Sequence, residues 1–327
     1  SNEFSASPVT MHEANISVSA GGDSIISATG RALSFSGKSQ VIIEPGAAVI
    51  SDPFPYKLVP LSNVAITIYF GDTSPDVTGH PGSRTTSYIL PGNALSGADM
   101  PGAVGTDHWY VIDRIDVKAP ESYAAVSILG NSITDGRGSG TNKQNRWPDE
   151  LSRRLQANPG TQNVAALNQG IGGNCVLRPC LGPSALDRFE RDVLDQPGVR
   201  WLIIFEGIND VGQARSLQVA DELIAAYEKM IGLAHANQIL VYGATLMPFG
   251  GSFYDSPEHE AVRAKVNEWI RTSGRFDAVI DLDKALGDPA DPLKLLPEAD
   301  TGDHLHPSET GHRMMAEAVD LALFQGK

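Results

Sequence analysis

The stretch Gly130–Gly136, with the sequence GNSITDG, places Ser132 among glycine and small polar residues. It directly follows Ala124–Leu129, an apolar run that predicts a buried strand. A serine just past a strand end can serve as an exposed nucleophile. The same composition is typical of an ordinary turn. This stretch therefore indicates chemistry only if partner residues stand elsewhere in the chain.

Three later stretches carry residue types that such a nucleophile needs. They are NQGIGGN at Asn168–Asn174, GIND at Gly207–Asp210 and DHLH at Asp303–His306. They contribute, in turn, a glycine-rich backbone, a side-chain amide, and an acid three residues before a histidine. Because that acid and histidine lie on one tight loop, both could be directed at Ser132.

Alternating strands and helices predict how these stretches are brought together. Apolar strands are predicted at Ala124–Leu129, Asn163–Leu167, Trp201–Phe205, Ile239–Gly243 and Ala278–Asp281. Helices are predicted at roughly Trp147–Gln156, Ser184–Leu194, Leu217–Ala236, Pro257–Thr272 and Ser308–Phe324. This order predicts a parallel sheet covered on both faces, in a flavodoxin-like three-layer α/β/α domain over residues 121–327. Ligands bind outside the carboxyl ends of such strands, and all four stretches follow strand ends.

Residues 1–120 have a different pattern. Short alternating or β-branched runs recur between clusters of Gly, Pro, Asp and Ser, and no stretch has a sustained helical period. Strands at this spacing predict an all-β sandwich or a partial jelly roll. The change of pattern at Lys118–Glu121 predicts a domain boundary there.

The four stretches resemble the sequence blocks of the SGNH (GDSL-like) hydrolase family of esterases and acylhydrolases. Asn131 stands where an aspartate is commoner in that family, and GIND and DHLH match its third and last blocks. The resemblance covers roughly residues 120–327. The β-rich front segment looks like that of secreted, two-domain members. The resemblance thus implies a serine esterase that needs no cofactor.

The resemblance also implies a role for each site residue. Ser132 corresponds to the nucleophile, His306 to the general base, and Asp303 to the acid that orients the imidazole. The Ser132 and Gly173 main-chain N–H groups and the Asn209 amide correspond to the oxyanion hole. These residue types suit ester cleavage, because preorganised donors to the tetrahedral oxyanion each contribute about 3 kcal/mol.

Two further groups of residues have open interpretations. Phe249, Phe253 and Tyr254 lie in a glycine-containing loop after the fourth strand, where they could shape a substrate pocket or simply anchor the loop. Asp303, His304 and His306 could together bind a metal. We predict that they do not, because no other His/Glu cluster stands nearby.

The cysteines Cys175 and Cys180 are the only two in the chain. They could close a small disulfide ring, as suits an oxidising compartment, or remain two free thiols. We predict the disulfide and a secreted or periplasmic location. The chain carries no signal peptide, and a leader could precede Ser1.

Composition limits the partners. The net charge of −14 argues against nucleic acid or an anionic membrane, because phosphate binding needs clustered Lys and Arg. No apolar run has the length of a membrane span. We predict hydrolysis of short-chain, acetyl-type esters, on small molecules or carbohydrates. The alternatives are a lipase or thioesterase for longer acyl chains, and a carbohydrate-binding protein with an inactive hydrolase domain. The oligomeric state is not predicted.

Overall fold

The computed structural model describes residues 1–73 and 75–325, which divide into two compact units. The units comprise residues 1–115 and 116–327. The sequence prediction put the boundary between residues 120 and 121. No helix in the described ranges combines the length and apolar character needed to cross a bilayer.

The first unit is antiparallel β structure, as predicted. Its strands are β1 (Val9–Gly21), β2 (Ser24–Ala32), β3 (Val41–Ile43), β4 (Val64–Phe70), β5 (Gly79–His80), β6 (Ser87–Ile89), β7 (Val104–Thr106) and β8 (Trp109–Tyr110). The long strand β1 pairs antiparallel with β2, β3 and β4, and two ribbons pair β5 with β8 and β6 with β7. A small core that includes Val9, Met11 and Ile43 is packed against this sheet.

The second unit is built on a five-stranded parallel sheet. Its strands are β9 (Ala124–Gly130), β10 (Val164–Gly170), β11 (Val199–Phe205), β12 (Leu240–Ala244) and β13 (Ala278–Ile280). Their spatial order is β10-β9-β11-β12-β13. This is the flavodoxin-like order, in which the chain reverses direction across the sheet beside β9. The carboxyl ends of β9, β10 and β11 are therefore neighbours.

The helices cover both faces of the parallel sheet. They are α1 (Ser132–Asp135), α2 (Trp147–Ala157), α3 (Ile208–Val211), α4 (Gln218–Ala236), α5 (Pro257–Thr272), α6 (Leu282–Leu286) and α7 (Glu309–Glu317). A short antiparallel hairpin follows α6, formed by β14 (Gly287–Asp288) and β15 (Asp291–Leu295). The predicted three-layer α/β/α architecture is confirmed.

Alternation along the strands separates two hydrophobic cores. On β11, Ile203 and Phe205 pack into the core shared with α2 and α7, whereas Leu202 and Ile204 pack into the core shared with α4 and α5. Successive strand side chains point to opposite faces, so a strand buried on both faces must be apolar throughout. Trp147 is almost fully buried in the first core, with its ring edge-on to Phe205.

Two predicted helices are shorter than the sequence indicated. In place of the helix Ser184–Leu194, turns lead into a five-residue π-helix, Glu190–Leu194. The predicted final helix ends at Glu317, because Asp320 accepts a hydrogen bond from the Ala322 N–H and starts a separate 3₁₀ turn. Its start was predicted correctly, since the Ser308 side chain caps it by accepting from the Gly311 N–H at 3.2 Å.

The close approach of α1 to β10 requires glycine at position 170. A Cβ atom at Gly170 would overlap the main-chain nitrogen of Asp135 in α1. We expect Gly170→Ala to lower the free energy of unfolding by about 1–3 kcal/mol, the usual cost of overpacking. Urea denaturation measures this change.

The matched control is Gly232→Ala on α4, where an added Cβ would meet nothing within 4 Å. That variant is expected to stabilise the fold by up to about 1 kcal/mol, because alanine favours the helix. Equal effects of the two substitutions would contradict the close approach.

Candidate active site

Ser132 stands at the entry to a helix, directly after the central strand β9. Asn131 caps α1, and its Oδ1 accepts a hydrogen bond from the Ile133 N–H at 3.2 Å. Ser132 is the first residue of that helix and is partly exposed, while Asn131 and Ile133 on either side are buried. The backbone therefore presents the serine from a loop-to-helix junction, and Ser132 is not among the residues with positive φ.

Ser132, His306 and Asp303 form a continuous hydrogen-bonded row. The Ser132 Oγ lies 3.0 Å from His306 Nε2, and His306 Nδ1 lies 2.7 Å from Asp303 Oδ2. The serine is 174 residues away from the histidine in sequence. This geometry allows the imidazole to take a proton from the hydroxyl while the carboxylate fixes its tautomer.

The loop around Asp303 holds the carboxylate firmly. Desolvation acts to raise the pKa of Asp303, but hydrogen bonds from the His306 N–H, the His306 ring and the Leu305 N–H outweigh it and lower the pKa to about 2. Asp303 Oδ1 also accepts from the Thr301 hydroxyl at 3.0 Å. An acid so anchored stays ionised wherever the neighbouring imidazole is neutral.

The candidate oxyanion donors lie at the ends of three neighbouring strands. Gly173 has a φ of +68°, a conformation that favours glycine. Within residues 1–73 and 75–325, neither the Ser132 nor the Gly173 main-chain N–H donates a hydrogen bond. Asn209 is buried, and its Nδ2 donates to the Asn174 carbonyl at 2.7 Å. That bond ties the third sequence block to the second.

Tyr254 orients the Asn209 amide. The tyrosine hydroxyl donates to Asn209 Oδ1 at 3.0 Å, so the oxygen of the amide is committed and its nitrogen must face the other way. One hydrogen of that nitrogen is used by Asn174, and the second has no acceptor in the described part of the chain. Tyr254 therefore touches the site through Asn209.

The other two aromatic residues of this loop have different environments. Phe249 is buried in the hydrophobic core beneath Arg263, so it anchors the loop and does not line the site surface. Of the two interpretations offered for Phe249, its burial favours the loop anchor over a position in the substrate pocket. Phe253 is 74% exposed, and its ring centroid lies 4.3 Å from that of Tyr254. Phe253 therefore lies beside the tyrosine whose hydroxyl contacts Asn209.

The Cys175–Cys180 loop is closed by a disulfide and also held by Asp210. The two Cα atoms are 5.6 Å apart. The Asp210 carboxylate accepts from the Val176 N–H at 2.8 Å and the Leu177 N–H at 3.1 Å. Burial raises the pKa of Asp210, although these two main-chain bonds oppose the shift. The loop that begins at Gly173 is thus fixed from both of its sides.

The histidine beside the row points to another carboxylate. His304 is about half exposed, and its Nδ1 lies 2.6 Å from Asp300 Oδ2. The two histidines of DHLH therefore interact with different carboxylates. Among the described residues, no group of three His, Cys, Asp or Glu side chains could hold a metal ion.

Sequence reasoning missed two buried ionisable residues behind the site. The Arg188 guanidinium donates to the Gly130 and Gln169 carbonyls, to Asn174 Oδ1 and to the Asp192 carboxylate. Arg188 gave no signal, because it lay within the predicted helix Ser184–Leu194, where a charged side chain is ordinarily exposed. Glu206 did give one: an acid directly after the buried strand WLIIF is rarely left in such a place without a partner.

The sequence profile of the family described as GDSL-like Lipase/Acylhydrolase matches residues 128–314, more than half of the chain. That range contains all four sequence blocks. No curated protein matches this sequence.

Several solved structures are similar to the chain. One is a catalytic variant of Axe2, an acetylxylan esterase from Geobacillus stearothermophilus, with 22% identity over 62% of this chain and 95% of that one, at a TM-score of 0.48. Another is a GDSL-like lipase from Bacteroides thetaiotaomicron, with 20% identity over 63% and 91%, at 0.48. A third is a member of the lipolytic protein G-D-S-L family from Veillonella parvula, with 22% identity over 60% and 95%, at 0.45.

Removing the Tyr254 hydroxyl should weaken the Asn209 donor without removing it. We expect Tyr254→Phe to lower kcat about 5- to 10-fold, the usual value of one hydrogen bond, while Asn209→Ala lowers it about 10²- to 10³-fold. KM should change little in both, since the donor acts mainly in the transition state. Steady-state hydrolysis of p-nitrophenyl acetate measures both constants.

Tyr242→Phe is the matched control, because the Tyr242 hydroxyl donates to the Leu323 carbonyl in the first hydrophobic core. It should lower the melting temperature and leave kcat unchanged. A rise in KM at constant kcat for Tyr254→Phe would show instead that the hydroxyl binds substrate.

Reduction of the Cys175–Cys180 bond should affect catalysis more than stability. A ring this small contributes only about 2 kcal/mol to stability by restricting the unfolded chain. It also holds the loop that carries Gly173. We expect mild reductant to lower kcat severalfold while it shifts the melting temperature only slightly. Activity and thermal unfolding are measured before and after treatment.

The double variant Cys175→Ser/Cys180→Ser controls for other effects of the reductant, since its activity should no longer respond to it. Two free thiols per unfolded, unreduced chain would refute the bond. An intact bond whose reduction leaves kcat unchanged would refute its role in catalysis.

Proposed function

This chain belongs to the GDSL-like lipase/acylhydrolase family and is an ester hydrolase, and from that premise we propose that it cleaves short-chain, acetyl-type esters with Ser132 as nucleophile. The observation that carries the proposal is the row Ser132–His306–Asp303, with separations of 3.0 and 2.7 Å. An intact row also argues against a carbohydrate-binding protein with an inactive hydrolase domain.

In the proposed mechanism, His306 Nε2 takes the proton of the Ser132 hydroxyl as Oγ attacks the ester carbonyl. The carbonyl oxygen becomes an oxyanion that the Ser132 and Gly173 N–H groups and the Asn209 amide stabilise. His306 then protonates the leaving alcohol, and an acyl-enzyme remains on Ser132. Water attacks that ester with His306 again as base, which releases the acid and restores the serine.

Two large side chains beside the oxyanion donors support a short acyl group. A Cβ atom added at Gly173 would lie only 2.7 Å from Leu181 Cδ1. The Leu181 side chain therefore packs directly against Gly173. The Tyr254 ring packs as closely on Gly212 and places its hydroxyl on Asn209. We infer that these side chains restrict the space available to a long acyl chain.

The exposed Phe253 ring supports a carbohydrate or another small alcohol as the second half of the ester. It stands next to Tyr254 and therefore near Asn209, where a flat apolar face could contact a sugar ring. A secreted or periplasmic location is part of the proposal. The disulfide supports it, since such bonds persist in oxidising compartments.

A panel of p-nitrophenyl esters with increasing acyl length, run beside acetylated xylan, tests the function. We expect kcat/KM to be highest for acetate and to fall as the acyl chain lengthens. Ser132→Ala should lower kcat by about 10³-fold or more, because the nucleophile is lost while the fold survives. A serine-directed phosphonate should label Ser132 in the unchanged chain.

Circular dichroism of Ser132→Ala controls for folding. Labelling at another residue, or full activity of that variant, would refute the proposed nucleophile. Rates that increase with acyl length would favour the lipase or thioesterase alternative. Acetate release from p-nitrophenyl acetate alone, with none from xylan, would remove the carbohydrate part of the proposal.

A further inference from the structure

The proposed mechanism leaves one buried carboxyl group at the site without a role. Glu206 follows the last residue of β11 and is 1% exposed. Its Oε2 accepts from Asn131 Nδ2 at 2.5 Å and from the Gly207 N–H at 3.2 Å. Its Oε1 has no hydrogen-bond partner in the described ranges of the chain. Glu206 is 75 residues away from Asn131 in sequence, so the fold alone brings them together.

Asn131 connects this carboxyl group to the serine. Its Nδ2 donates to Glu206 while its Oδ1 accepts from the Ile133 N–H, so both ends of one amide are committed. Ser132 lies between the residue that supplies this amide and the residue that the amide caps. The rotation of the Asn131 side chain and the first turn of α1 are thereby fixed together.

The residue type at position 131 matters because its partner is an acid. An amide can donate to a carboxyl group, but an aspartate there would place two carboxyl groups about 2.5 Å apart, where they cannot both be ionised. Burial raises the pKa of Glu206 to about 8, and the nearby charge of Asp210 adds to the shift, while Arg188 and the two hydrogen bonds oppose it. The buried Tyr227 hydroxyl faces the same region and donates to the Glu206 carbonyl.

We propose that Glu206 is a positioning residue for ester hydrolysis: its carboxyl group fixes the Asn131 amide and, through it, the helix entry that presents Ser132 to His306. The inference rests on the proposed role of Ser132 and adds a residue that acts on Ser132 indirectly, through Asn131. Glu206 does not touch substrate or the reacting atoms in this scheme.

Exchanging the amide and the carboxyl group between positions 131 and 206 tests the contact between Asn131 and Glu206. Asn131→Asp should lower kcat at least about 10-fold near pH 8, because two carboxyl groups then share one proton and repel once it is lost. Its activity relative to the unchanged chain should fall further as the pH rises. In Asn131→Asp/Glu206→Gln, the new amide donates to the new carboxylate, and the Ile133 cap is kept. We expect this double variant to regain most of the lost kcat, with a relative activity that no longer depends on pH.

The control is Asn267→Asp, which puts a carboxylate at another buried amide, on α5. It should lower the melting temperature, and adding Glu206→Gln should not restore it. A double swap that stays as impaired as Asn131→Asp would overturn the proposal. So would an Asn131→Asp variant whose kcat matches that of the unchanged chain at every pH.

Should Asn131→Asp fail to fold, Glu206→Leu carries the test, because leucine has a similar size and accepts no hydrogen bond. It should lower kcat about 10-fold with KM changed less than about 2-fold, and Glu206→Gln, which keeps an acceptor oxygen, should recover most of that loss. Equal kcat values for the leucine and glutamine variants would overturn the proposal. Phosphonate labelling of Ser132 in the unchanged chain separates this failure from a failure of the proposed function.

Discussion

A buried guanidinium connects two of the three strand ends that carry the site. Arg188 is almost completely buried, and its donors reach the Gly130 and Gln169 carbonyls at the ends of β9 and β10. A buried charge is tolerated only when its hydrogen-bonding capacity is met and a counter-charge is near. Asp192 supplies that charge at 2.8 Å, and Asn174 Oδ1 accepts from Nε. Any shift of one strand end past the other would leave part of this group unpaired.

The site is therefore a set of loops held by buried polar contacts behind them. Asp210 and the disulfide hold the loop after Gly173, Tyr254 holds the Asn209 amide, and Glu206 holds Asn131. Transition-state stabilisation by fixed dipoles requires that the donors be ordered before charge develops. An anion behind the donors would oppose an oxyanion in front of them. The raised pKa of Glu206 reduces that opposition, because the group is largely neutral below about pH 8.

The alternating strands and helices were sufficient to predict the sheet, because parallel strands bring their carboxyl ends to one edge whatever the loop lengths. The roles of Ser132, His306 and Asp303 came instead from the resemblance of the four sequence blocks to the SGNH hydrolases, and the structure brings these three side chains together. The sequence was not sufficient for contacts made by side chains that turn back from distant loops. Nothing in the local pattern tells that Tyr254 reaches Asn209, or that Phe249 turns into the core while Phe253 turns outward. The arginine was missed for the same reason: a helical period predicts an exposed charge, whereas Arg188 is drawn inward by carbonyls that only the folded sheet supplies.

Two acids with opposite pKa shifts limit the pH range of the site from opposite sides. The pKa of Asp303 is lowered to about 2, so its contribution to stability is present above its ordinary value near 3.8 and is lost as the pH falls through 2. The pKa of Glu206 is raised from 4.5 to about 8, so the unfolded chain binds fewer protons there between those values, and stability falls as the pH rises through that interval. In the proposed mechanism, His306 must be neutral to act as a base, and a higher pH favours the neutral form. A rise in pH therefore favours the neutral base while it reduces the stability that the buried, protonated Glu206 contributes.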